Sequence, residues 1–269
     1  MRALLMEVAH PLIAVGVAEH SDFRNRPFKR LYRTMRLMSC ITFGSRKAAS
    51  RAVQGIGQCH SSVKGELRQS AGCHPAGRTY SANDPQLKLW VLATLIDSSL
   101  CVYELFVRPL SVEEKESYYQ DSRRLGLLLG ISSERMPADY DSFVAYVRTM
   151  LSGGTLVVGV AAQEVAAALL AGPLRGRIVR VASFVSIGLL PEGLRAAYGL
   201  PWNQSRQKAL SKLAGICRRV RHWVPDLFCV NPQAWLAEIC FAPRGMAAEI
   251  RPAFRPHHDD GRLDQRHAR

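Results

Sequence analysis

The chain has 269 residues, of which 48% are hydrophobic, and 36 Lys and Arg against 22 Asp and Glu give it a formal net charge of +14. This composition excludes an intrinsically disordered chain, and the length allows one large domain or two small ones around a substantial core. The positive charge favours an anionic partner such as phospholipid, nucleic acid or an acidic protein, although a solvated basic face would give the same count.

The first apolar segment, AHPLIAVGVAEHS at 9–21, predicts a helix that carries polar groups. His10 and His20 lie near its ends, and Glu7 lies one turn before His10. A buried imidazole or carboxylate costs free energy unless it is paired or bound. These groups therefore either line a polar site or pin neighbouring helices through carbonyls exposed at Pro11 and at the helix end. The polar residues also interrupt the apolar run too early for a convincing signal peptide.

The next helix is amphipathic. Its apolar residues recur at helical spacing, and its basic residues occupy the other face. The apolar set is Phe28, Leu31, Tyr32, Met35 and Met38, and the basic set is Lys29, Arg30, Arg33 and Arg36. This pattern predicts a helix with a basic outer side, which is either an ordinary surface helix or a membrane-docking helix.

A long apolar helix is predicted for the centre of the fold. Before it, residues 46–66 predict a helix that ends near Gly65, and residues 68–86, rich in Gly, Ser, Pro and Asn, predict a loop. The stretch LKLWVLATLIDSSLCVYELFV that follows is apolar on nearly every face, which is typical of a buried helix. Pro109 ends it.

The second half of the chain is also predicted to be helical. Ser111 and Glu114 form an S-x-x-E capping box that opens a helix through about Leu129, and Asp139 or Asp141 caps the next helix. Further helices are predicted at 160–171, 176–190 and 203–221. Strand-like alternation is scarce, so the predicted class is all-α, with a single helical-bundle domain and an internal, mostly apolar pocket.

After about residue 251 the chain is Pro-, His- and Arg-rich with few apolar residues, so we expect a disordered tail at 251–269, preceded by a domain expected at 1–222 and an extension at 223–250. Seven cysteines without a CxxC pair predict reduced thiols in a cytoplasmic protein. The apolar run after the Gly pair holds Gln163 and Glu164 near its centre, which argues against a membrane span there.

No catalytic signature of a common hydrolase, metalloprotease or P-loop enzyme is present. The adjacent pairs Cys59-His60 and Cys73-His74 lack the spacing of a zinc site, so we predict no metal-ion centre. Several polar residues do fall on apolar helices, and together they predict a polar pocket inside the bundle, where cofactors are commonly bound. They are Glu7, His10, His20, His60, Thr94 and Asp97.

Six blocks, in order along the chain, resemble the family of rubber-oxygenase and MpaB-type catalytic domains, which includes the latex-clearing proteins. The blocks are ALLMEVAHPLIAVGVAEHSDF, RLYRTMRLMSCITFG, HSSVKG, YSANDPQLKLWVLATLIDSSL, YELFVRPLSVEEKESYY and LPEGLRAAYGLPW. The resemblance covers roughly residues 3 to 222 and implies an all-helical fold. It also implies a heme b cofactor and an oxygenase that cleaves carbon–carbon double bonds of isoprenoid chains with dioxygen.

The resemblance also implies roles for individual residues. His10, His20 and His60 match family positions and are the candidates for cofactor binding, and Glu7 and Asp97 are the candidates for catalysis. Two positions depart from the family pattern, since Leu92 stands where relatives usually have a histidine and Glu7 stands where they often have glutamine. Leucine cannot ligate iron, so another histidine takes that role, or heme binds weakly or not at all.

The leading interpretation is a heme-dependent or heme-derived oxygenase acting on an apolar, isoprenoid or lipid-like small molecule. The alternative is a non-catalytic pocket protein of the same fold that binds an apolar ligand. A third interpretation is a module that binds an anionic membrane surface through the helix at 24–36 or the basic stretch at 206–221, which would place a cytoplasmic protein at the membrane periphery. Nucleic acid ranks last as a partner, because aromatic residues are not interleaved with the basic ones.

Overall fold

The computed structural model describes residues 1–21, 27–170, 176–221 and 223–224, and it describes residues 27–31 by their backbone alone. The predicted tail at 251–269 and nearly all of the extension at 223–250 lie outside the described residues. The elements in chain order are α1 (Arg2–Glu7), α2 (Pro11–His20), α3 (Pro27–Phe43), α4 (Arg46–Ser61), β1 (Lys64–Glu66), β2 (Thr79–Ser81), α5 (Pro85–Phe106), α6 (Val112–Leu128), a 3₁₀ turn (Ser133–Arg135), α7 (Tyr140–Ser152), α8 (Val160–Leu170), α9 (Arg177–Gly188), α10 (Glu192–Ala197) and α11 (Gln204–Arg221).

The predicted all-α class is confirmed. In the part of the chain that the structure describes, the sheet consists of β1 and β2, three residues each, which pair antiparallel with Gly65 opposite Tyr80. The helix predicted at 46–66 is wrong at its end, because the chain leaves the helix at Ser61 and enters β1. A side chain at position 65 would lie 2.7 Å from the Tyr80 hydroxyl, so glycine is needed for the tyrosine to pack there.

The segment predicted as one helix at 9–21 begins two residues later than expected. Helix α1 ends at Glu7, and α2 begins at Pro11. His10, the residue between the two helices that precedes the proline, is extended with φ −81° and ψ 118°. The reason is steric, since a proline disfavours the helical conformation of the residue before it yet suits the first turn of a helix.

Helix α5 is the centre of the core, as predicted. Eight of its residues are buried, among them Trp90 and Thr94 with no exposed surface. Helices α1, α6 and α11 pack against it. It is also long and apolar enough to cross a membrane by length and composition, which is weak grounds for a span because the same pattern marks the core helix of a globular protein.

The predicted helix signals in the second half are confirmed. Ser111 and Glu114 form the reciprocal capping box of α6. The cap of α7 is Asp139, whose side chain accepts the amide of Ser142. Helices α8, α9 and α11 begin and end within two residues of the predicted bounds. The five described cysteines, Cys40, Cys59, Cys73, Cys101 and Cys217, are free thiols, in agreement with the absence of a disulfide framework.

Two residues of the predicted apolar face of α3 are exposed, Tyr32 by 68% and Met35 by 61%. The side chains of Phe28, Lys29, Arg30 and Leu31 lie outside the described residues. Every residue from 32 to 36 is exposed, so this stretch has no packed face. Helix α3 contacts α4 and α8, and among its residues with described side chains the partly buried ones begin at Leu37.

Candidate functional site

His10 lies in the break between α1 and α2, and its side chain is buried. Its carbonyl oxygen accepts the amides of Ile13 and Ala14, so its backbone caps α2. The imidazole itself makes no capping bond, and only 5% of the residue is exposed. Its ring lies 4.9 Å from the ring of His74, measured between centroids.

His74 comes from the loop between β1 and β2, and it is 6% exposed. Ala71 and His74 form an isolated bridge, and Gly72 within this turn has a φ of +58°. A Cβ at Gly72 would lie 2.5 Å from Val157, so glycine allows the turn to pack against the segment before α8. In the sequence, Gly72 indicates the turn, but nothing indicates that His74 contacts His10.

The two imidazoles present unpaired ring nitrogens. His74 Nε2 lies 3.2 Å from the carbonyl oxygen of Thr155 and must donate, because a carbonyl only accepts. In the neutral ring, this bond leaves the lone pair on Nδ1 of His74. This Nδ1 and that of His10 are both buried without a hydrogen-bond partner. Buried polar atoms are normally bonded, so the pair is a candidate ligand site.

His10 is neutral at neutral pH. Its pKa is lowered from 6.5 to about 4, mainly by burial; the nearby imidazole of His74 and the charge of Arg78 act in the same direction, and Asp84 opposes them. A neutral imidazole is the form that binds a metal or a heme iron. The position is therefore chemically suited to ligation without prior loss of a proton.

His20 lies at the opposite end of α2, about 15 Å from His10 along a helix of this length. The hydroxyl of Tyr80 donates to Glu19 Oε2 at 2.7 Å and lies 3.3 Å from His20 Nε2. Arg68 completes the group with an ion pair to Glu19 at 3.3 Å. Burial and the carboxylate raise the pKa of Tyr80. These bonds hold α2 to β2, and they place His20 in surroundings separate from those of His10.

Glu7 lies between α1 and α5. Thr94, which has no exposed surface, lies 3.4 Å from Glu7 Oε1 and also donates to the carbonyl of Val91. The indole of Trp90 donates to the carbonyl of Met6 at 3.2 Å. Polar groups from two helices thus meet at the α1–α5 interface, and the predicted polar pocket stays a prediction.

Asp97 is paired within the same helix interface. The guanidinium of Arg2 lies 2.6 Å from Asp97 Oδ2, and it also donates to the Ser98 hydroxyl and to the carbonyl of Leu189, each at 2.7 Å. Arg2 is 6% and Asp97 is 25% exposed. This geometry is that of an ion pair that joins α1, α5 and the end of α9. The catalytic role of Asp97 stays a prediction.

His60 occupies the last turn of α4 and is partly buried. It therefore belongs to a different helix from His20, the C-terminal residue of α2. Its predicted role in cofactor binding stays a prediction. In the described residues, no group of three or more His, Cys, Asp or Glu side chains is arranged to hold a metal ion.

Leu92 faces packed core. It is 3% exposed, and a Cβ at Gly126 on α6 would lie 2.9 Å from its Cδ2. The cavity beside it has a volume of about 10 Å³ and is lined by Leu89, Leu92, Ala93, Ile96, Tyr119, Arg123, Met136 and Phe143. Cofactor pockets have volumes of about 300–1,000 Å³. The predicted apolar pocket is therefore not this cavity, although its lining is largely apolar.

Leu92→His should leave a polar ring in packed core without a partner. We expect the free energy of unfolding to fall by about 1–3 kcal/mol, with no gain in heme uptake. Urea denaturation and the absorbance spectrum after hemin addition measure the two effects. Leu92→Met conserves the volume and is the matched control, with an expected cost below about 1.5 kcal/mol. A stable Leu92→His protein with a new Soret band would contradict the packing described here.

Comparison with known proteins gives one family and two relatives. Residues 1–222 match the family described as ER-bound oxygenase mpaB/B'/rubber oxygenase, catalytic domain. The uncharacterized proteins Mb2261 of Mycobacterium bovis and Rv2237 of Mycobacterium tuberculosis are each 27% identical over 242 residues. These alignments cover 87% of this chain and 89% of each relative. No solved structure matches the chain significantly.

Proposed function

Because the chain belongs to the mpaB/rubber oxygenase catalytic-domain family, we propose that it is a heme-dependent oxygenase acting on an apolar, isoprenoid or lipid-like substrate. The observation that carries the heme assignment is His10, whose buried ring nitrogen has no hydrogen-bond partner. Its neutral state at physiological pH supports the same role. The donor chemistry of this site thus fits heme iron.

His10 is the ligand that we favour among the three predicted histidines. His20 already lies against the Tyr80 hydroxyl, and His60 is only partly buried. The usual family position is filled by Leu92, which supplies no ligand atom. His74, which contacts His10 and is held through Nε2 by Thr155, is the second candidate nitrogen. A histidine that ligates a metal typically donates its other ring N–H to a carbonyl or carboxylate, as His74 Nε2 donates to Thr155.

Heme supplies the activation of dioxygen for cleavage of a carbon–carbon double bond. The residues of this chain have other tasks in the proposal. Apolar side chains of α5 and its neighbours exclude water from the core. Glu7, which lies against Thr94, is the candidate group to hold or move a proton inside the core. Asp97 holds α1 against α5 through its ion pair with Arg2.

Absorbance spectroscopy tests this proposal directly. Protein expressed with added heme precursor should be purified with a Soret band that survives gel filtration. His10→Ala should remove or shift the band, whereas His257→Ala, in the predicted tail, should leave it unchanged. His20→Ala, His60→Ala and His74→Ala identify the ligand if His10→Ala retains heme. A wild-type protein that takes up no hemin would overturn the heme assignment.

The packing of Leu92 favours a second candidate, a non-catalytic protein of the same family that binds an apolar ligand. Such a protein needs no iron ligand at position 92. It should take up no hemin and should bind a fluorescent fatty-acid probe saturably. Hemin uptake together with dioxygen consumption in the presence of an isoprenoid would exclude this alternative.

A further inference from the structure

Helix α11 has one packed side and one exposed side. Leu210 and Ala214 are buried against the rest of the fold. On the opposite side, Ile216 is 47%, Val220 is 50% and Trp223, just past the helix end, is 87% exposed. Ile216 and Val220 are one turn apart on the same side of the helix, and Trp223 follows in the turn in which its amide donates to the carbonyl of Val220. Large apolar side chains in such a row seldom face water without a partner.

Basic side chains border this row. Lys208, Lys212 and Arg219 are exposed, and their spacing of i, i+4 and i+11 places them along the same side of the helix, next to the apolar residues. We call these six residues the α11 face: Lys208, Lys212, Ile216, Arg219, Val220 and Trp223.

The α11 face is held in a fixed orientation by a neighbouring arginine. Arg218 donates from Nε to the carbonyl of Leu105 at 2.9 Å and from Nη2 to the carbonyl of Glu104 at 2.6 Å. These two bonds tie α11 to the end of α5. Arg218 therefore bonds within the fold. The three basic residues of the α11 face are exposed and accessible to an external partner.

We propose that the α11 face docks onto the surface of an anionic phospholipid bilayer. A helix that presents Lys and Arg beside exposed Trp and aliphatic side chains is typical of helices that lie in the membrane interface. Tryptophan is enriched at that depth, and each basic residue near an anionic surface adds to the attraction. This interaction goes beyond the proposed oxygenase activity and does not depend on heme.

Charge and composition disfavour the other occupants of this face. A second copy of the chain joined through the same face would bring Lys212 and Arg219 towards their own equivalents. The described face holds a single aromatic side chain, Trp223, so it lacks the series of stacking rings that a single-stranded nucleic acid needs. The net charge of +14 complements an anionic lipid surface.

Vesicle flotation with the full chain tests the proposal. We expect binding to phosphatidylglycerol vesicles, weak binding to phosphatidylcholine vesicles, and loss of binding as salt is raised. The double variant Lys212→Gln/Arg219→Gln should weaken binding about 30-fold, since two interfacial charges are removed. Trp223→Ser should also weaken binding, because the ring no longer enters the interface.

Matched variants separate the α11 face from general charge. Arg135→Gln/Arg148→Gln removes two exposed charges from the 3₁₀ turn and α7, and it should leave binding within about twofold of wild type. Wild-type binding by the Lys212→Gln/Arg219→Gln variant would overturn the proposal. So would a loss confined to Arg33→Gln/Arg36→Gln on α3, or a dimer in solution that Trp223→Ser dissociates.

Discussion

Asp97→Ala should lower the free energy of unfolding by about 3 kcal/mol, because it leaves the guanidinium of Arg2 buried without its counter-ion. Breaking a buried pair in this way costs about 3–5 kcal/mol, and the partial exposure of Asp97 favours the lower end. Urea denaturation followed by circular dichroism measures the change. The same variant should retain whatever heme the wild-type protein binds.

Two companion variants make the Asp97 result specific. Asp121→Ala breaks an exposed ion pair with Arg124 and should cost no more than about 1 kcal/mol. Arg2→Met/Asp97→Ala should be more stable than Asp97→Ala, since it also removes the stranded charge. Unchanged stability of Asp97→Ala together with lost oxygenase turnover would instead support the catalytic role predicted from the sequence.

Stability should rise by about 3 kcal/mol between pH 4 and pH 6.5 because of His10 alone. Its pKa is about 4 in the folded protein and 6.5 when unfolded, so the unfolded chain binds more protons between these values. The contribution is fully present above pH 6.5 and is lost as the pH falls towards 4. Urea denaturation midpoints measured across this range give the slope.

The variant His10→Asn tests the assignment of this slope. Asparagine is a favoured N-cap residue, which is the position of His10 at α2, and it does not titrate in this range. The pH dependence should therefore flatten by about the contribution of one histidine. His20→Asn is the matched control, because it makes the same substitution at an exposed histidine of the neighbouring helix α2. A wild-type slope in His10→Asn would show that another group titrates.

Much of the helical framework was predictable from local sequence. Ser111 and Glu114 cap α6, Asp139 caps α7, and the apolar stretch of α5 forms the buried centre. These signals act over a few residues, so they are present in the sequence itself. The same locality explains the failure at residues 62–66, where packing of Tyr80 over Gly65 replaces the predicted last turn of helix with a strand.

The candidate site was predictable in part. The sequence indicated that Glu7, His10 and Asp97 are polar groups in apolar surroundings, and the structure places them at or beside the core. It did not indicate that His74 meets His10, since a histidine beside an exposed cysteine in a loop carries no signal of burial. Such a contact depends on how the β1–β2 loop packs on α2.

By itself, the sequence determined the all-α class, the central helix, the family and the charge of +14. Helix periodicity and caps depend on residues close together in the sequence, and charge depends on composition alone. Only the tertiary structure decided which polar groups pair and which faces stay exposed. Arg2 finds Asp97 across the α1–α5 interface, and Trp223 remains exposed past the end of α11. Burial of a side chain is a property of its neighbours in space, and those neighbours come from distant parts of the chain.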